Sequence, residues 1–140
     1  MALTTYGDQQ ALKSLFGGGN ATPATLYFGL STSTIAIDGT GITEPSSANA
    51  YARVAMTNNG TNFTVTTIAT ASGGGAQVQN ATPISFPQST ASWGTVTYWF
   101  ASDSLSGGNI VAYGALSSSQ TVGASNTVSF AANALTLQDV

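Results

Sequence analysis

The chain has 140 residues, of which only 5% are charged: two basic and five acidic side chains, with no His and no Cys, give a net charge of −3. Disulfides, thiolate nucleophiles and Cys- or His-ligated metals are excluded, and two cations make no basic patch for phosphates, so neither a cofactor nor a nucleic-acid partner is expected. Ordinary soluble proteins carry roughly 25% charge; here Ser, Thr, Asn and Gln supply the polarity, which predicts a surface covered in large part by neighbouring subunits.

The length suits one domain spanning residues 1–140, and the apolar content of 42% argues against disorder. The opening residues MALTTYGD hold neither a basic n-region nor an apolar run. No later segment reaches the roughly 18 apolar residues of a membrane span, so no membrane partner is expected and the chain should remain in the cytoplasm that makes it or leave by lysis.

The first predicted element is a helix over residues 8–16, DQQALKSLF. There Ala11, Leu12, Leu15 and Phe16 recur at helical spacing, Asp8 serves as N-cap or first-turn acid, and Gly17 to Gly19 form a stop. The period then changes to two. Strands are predicted at residues 25–32, 51–57, 62–70, 94–102, 109–117, 127–131 and 134–138, each rich in β-branched or aromatic residues and bounded by Gly, Pro, Asn or Ser. Seven short strands without a strand–helix–strand rhythm indicate an all-β chain, an antiparallel β-sandwich or jelly-roll-like barrel carrying one short N-terminal helix. Two stretches, residues 37–50 and 71–83, read as surface loops because of their Gly, Pro and polar content.

Candidate chemistry is sparse. Asp38, Glu44 and Asp103 are the acids from which a glycosidase pair could be drawn, but acids in Gly- or Ser-rich turns ordinarily bond to their own backbone, and no catalytic residues are expected. Around Asp38 a calcium loop would fall short of the required oxygens. Asn-x-Ser/Thr triplets at Asn20, Asn59, Asn62 and Asn80 are coincidental in a chain so rich in Asn and Thr. Arg53 is expected to pair with a carboxylate, preferably of its own chain, though a neighbour's is open. Trp93, Tyr98, Trp99 and Phe100 crowd one segment; if Tyr98 and Phe100 face inward, Trp99 faces outward as an interface anchor, with a sugar platform or a strand buried on both faces as alternatives. The candidate interface is therefore Leu12, Leu15 and Phe16 on the helix, with Trp93, Trp99 and Arg53 on the strands.

Eight segments then occur in order: PATLYFGLS (23–31), GTGITEPS (39–46), YARV (51–54), ISFP (84–87), WGTVT (93–97), GGN (107–109), YGAL (113–116) and TVSF (127–130). With these the chain resembles the small tail-fibre-like virion proteins of bacteriophages over nearly its whole length, departing in residues 46–50 and 58–82. The resemblance implies a non-enzymatic structural protein of the virion, assembled in the host cytoplasm and released by lysis, with other virion proteins as partners and a homo-oligomer expected. A compact, charge-poor module without a long shaft suits a capsid decoration or cement protein. A tail-associated fibre protein that binds a host receptor or glycan is the alternative.

Overall fold

In a computed structural model, residues 2–16, 22–68 and 74–139 are described. The elements run β1 (Ala2–Leu3), α1 (Thr5–Leu15), β2 (Thr25–Ser31), a 3-10 turn (Ser47–Asn49), β3 (Val54–Thr57), β4 (Phe63–Ile68), β5 (Gly75–Asn80), β6 (Ile84–Ser85), β7 (Gly94–Ser102), β8 (Ile110–Val122), β9 (Ser129–Phe130) and β10 (Thr136–Asp139). They form a five-stranded sheet ordered β1-β8-β7-β2-β3, a three-stranded sheet ordered β10-β5-β4 and a β6-β9 ribbon, with every pairing antiparallel. The expected all-β class with one short helix is the fold observed.

The main core lies between the large sheet and the two smaller ones. Leu30 faces Trp99 and Phe28 faces Ala101 across the β2–β7 ladder, so these four side chains share the face that meets Phe63, Ile84, Leu135 and Leu137. Phe28 stacks between Trp99 and Phe63, with ring centroids 6.1 and 5.9 Å away. The opposite face of the large sheet has its own cluster of Phe100, Ile35 and Ile110, with Ile42, Tyr98 and Tyr113 against it. At Gly29, opposite Phe100, an added Cβ would collide with the Phe100 ring, so only glycine fits there. A register shift follows Val96, and across it Val96 joins the face of Trp99 and Ala101.

Several expectations need correction. The helix begins three residues before 8–16, because Thr4 is the N-cap: its hydroxyl accepts the amide of Gly7 and donates to the Ile110 carbonyl, which fixes the first turn on β8. Asp8 lies in the first turn, while the glycine stop at 17–19 lies outside the described residues. Residues 71–83 are not one surface loop. Residues 71–73 are outside the described set, but Gly75–Asn80 is the central strand of the small sheet, paired along its whole length with β4 and over four residues with β10.

Residues 37–50 contain no strand, yet Ile42 packs on the Phe100 cluster and Pro45 is buried, so part of this loop forms a lid on the large sheet. Strand β7 is buried on both faces, which removes the outward Trp99: its residue is 4% exposed, as is Trp93. Trp93 meets Tyr51 edge-on at 5.3 Å and donates its indole N–H to the Asn49 carbonyl at 2.8 Å.

Candidate binding surfaces

The polar residues singled out in the sequence turn mostly inward. The Arg53 guanidinium forms two parallel bonds to Glu44, Nε to Oε1 and Nη2 to Oε2, both at 2.9 Å, and its Nη1 donates to the carbonyls of Ser104 (2.7 Å) and Gly107 (2.9 Å). Its Cζ lies 4.9 Å from the centre of the Phe100 ring. The Tyr51 hydroxyl donates to Glu44 Oε1 at 2.8 Å and accepts the amide of Leu30 at 2.9 Å; burial pushes this phenol well above its ordinary value. Glu44, Tyr51 and Arg53 thus clasp the 39–46 segment, strand β2 and the 104–107 turn into one unit. Arg53 takes the intramolecular partner, and at 9% exposure little of it is left for a neighbour. Glu44, read from the sequence as a turn or surface acid, is the carboxylate of that pair.

The other two acids sit in turns. Asp38 accepts the hydroxyl and amide of Thr40 at 2.7 and 3.0 Å, which hold its carboxyl below the ordinary value, and Asp103 accepts the amide and side-chain N–H of Asn109 at 2.8 and 3.0 Å. Three of the Asn-x-Ser/Thr asparagines are structural as well, Asn59 accepting the amides of Thr61 and Asn62 in a turn. Asn80 is buried, donating to the carbonyls of Thr82 and Ala131 and accepting the Leu135 amide, while Asn62 donates to Thr57 and accepts from Thr82. Asn20 lies outside the described residues.

Among the described residues, three surfaces stand out as open to contact. The first is the far end of α1. Gly7 packs so closely on the Val111 carbonyl that no side chain would fit, and it is the one buried residue of the helix. From there the helix carries Leu12, Leu15 and Phe16 into solvent at 57%, 78% and 82% exposure. Their spacing of three and four places them on one stripe. The second surface is an apolar cleft of about 460 Å³ between the sheets, lined by residues such as Leu3, Leu26, Phe63, Val65 and Leu137. Val65, Val78 and Leu137 form a row across the small sheet, and Val65 at its edge is exposed. The third is a groove of about 540 Å³ beside the distal half of β8, with a neutral polar lining. Sequence reading missed both concave surfaces, since each is assembled from segments far apart in the chain.

The chain is thus a charge-poor all-β module with an internally satisfied polar clasp and apolar surfaces left open. Residues 2–138 match the family model described as podophage GP4 fiber I protein gp80, and the chain belongs to that family. It is accordingly a structural protein of the phage virion. No curated protein matches the chain. Among the described residues no helix is long and apolar enough to cross a membrane.

Proposed function

We propose that the chain is a non-enzymatic subunit of a phage tail fibre or its attachment, held to other virion proteins, copies of itself included, by apolar contacts centred on the end of α1. The observation that carries this reading is the stripe of Leu12, Leu15 and Phe16 at the far end of a helix whose one buried residue, Gly7, lies in its first turn. A helix of 11 residues is marginal in water by itself, so its free apolar end gains most by docking. Family membership supports the fibre over the capsid lattice, because the family is described by a fibre protein. The capsid-cement reading drawn from the chain's compactness and low charge has no comparable support.

Gold-labelled antibody against the chain, applied to intact particles together with a count of its copies, tests this. Label confined to the tail with a small, symmetric copy number is expected. Label spread over the head with hundreds of copies would restore the cement reading.

A further inference from the structure

We propose that the groove beside the distal half of β8 is a binding site for a neutral oligosaccharide, a role beyond the structural one and independent of where in the virion the chain sits. The groove has a volume of about 540 Å³, inside the range of about 300–1,000 Å³ typical of small-ligand sites. Its polar lining includes Ser117, Ser118, Gln120, Thr121, Asn126 and Thr127, every one exposed. Among the described residues, no charged one lines it. Side chains of this kind both donate and accept, as sugar hydroxyls do, whereas a phosphate, sulfate or carboxylate ligand would call for Arg or Lys. Leu116 and the half-buried ring of Phe130 supply apolar patches of the sort that receive the C–H faces of a pyranose.

Two further observations fit a ligand. Ala115 pairs with Tyr98 and Gln120 with Val96, so residues 116–119 have no register partner on β7, and their backbone runs outside that ladder along the groove. Trp99, which lies between this groove and the apolar cleft and lines both, is 4% exposed, and its indole N–H is one of two buried side-chain polar atoms without a hydrogen-bond partner among the described residues. A buried donor left unpaired is costly, and a ligand oxygen is one way to satisfy it.

The opposite wall is already rigid. Buried Ser89 accepts the Asn126 amide on its hydroxyl at 3.1 Å, its own amide bonds to the Asn126 carbonyl at 2.9 Å, and its carbonyl accepts the Ser125 amide at 2.7 Å. Preorganisation of this kind lowers the ordering cost of binding. An extended peptide strand is a poorer occupant, because the irregular register of residues 116–119 breaks the regular spacing that strand addition uses.

The test is a nuclear magnetic resonance titration of the full-length chain with neutral di- to tetrasaccharides of glucose, galactose, mannose and N-acetylglucosamine, with sialylated counterparts and a Ser/Thr-rich peptide as controls. At least one neutral saccharide should saturate, shifting the amides of residues 117–121 and 126–129. Gln120→Ala and Thr127→Ala should each weaken it by about fivefold, the scale of one lost hydrogen bond, with melting unchanged. The proposal fails if no neutral saccharide shifts these amides, if the alanine variants bind as the parent does, or if the sialylated sugars or the peptide bind more tightly.

Discussion

The two ends of the polar and apolar inventory are arranged in opposite ways. Around Phe100 the large sheet is closed on both faces, and the single Arg–Glu pair, the Tyr51 phenol and the carbonyls of Ser104 and Gly107 satisfy one another inside the chain. At α1 and along the small sheet, apolar side chains as large as Phe16, Leu15 and Val65 stay in solvent. The two buried clusters are formed without Leu15, Phe16 and Val65. On the proposed reading the first region folds the chain and the second meets its partners, so substitutions in the two regions should behave differently.

The largest effect is expected in the closed region. Phe100→Ala removes a fully buried ring and the seat of the Arg53 guanidinium, and thermal or denaturant unfolding should show a loss of about 3–5 kcal/mol. Arg53→Met keeps the stem but strands Glu44 and two carbonyls; because Glu44 is partly solvated, the loss should be about 2–3 kcal/mol. If Arg53→Met proves neutral in the isolated chain yet disturbs the particle, the clasp belongs with the interface and the division between the regions breaks.

Tyr51 sharpens the comparison through pH. Burial raises its phenol in the folded state above the ordinary value of 10.0, so its contribution to stability is intact below about pH 10 and is lost as the pH rises further. Alkaline unfolding followed by circular dichroism should be less steep in Tyr51→Phe. At neutral pH that variant should cost about 1–2 kcal/mol, because the buried Leu30 amide loses its acceptor.

The two regions were also unequally legible in the sequence. Strand β7 was predicted over its observed span, residues 94–102, because its β-branched and aromatic run ends at turn residues on both sides. Alternation alone did not say that both its faces are covered, since the covering layers, the Ile35–Ile42 loop and the small sheet, come from distant segments. The outward assignment of Trp99 failed for that reason. Strand β5 was hidden by composition: Gly75, Gln77 and Gln79 look like loop residues, although Ala76 and Val78 do alternate with the glutamines.

The N-cap at Thr4 was missed although its bond from the Gly7 amide is local; its second bond, to the Ile110 carbonyl, joins segments more than 100 residues apart. The intramolecular partner of Arg53 was the reading preferred from the sequence, and the helix stripe of Leu12, Leu15 and Phe16 was legible from spacing alone. Neither concave surface could be read, since no local pattern encodes a groove.

The account turns on the claim that the exposed stripe of α1 serves the particle and not the fold. Leu15→Ser and Phe16→Ser together alter side chains that are 78% and 82% exposed, so the isolated chain should melt within about 0.5 kcal/mol of the parent. The deciding measurement is the number of copies bound to purified virions for this double variant, taken beside that melting curve. The account predicts a normal fold with the protein largely missing from particles. Full occupancy of the variant, or unfolding of the isolated chain, would contradict it.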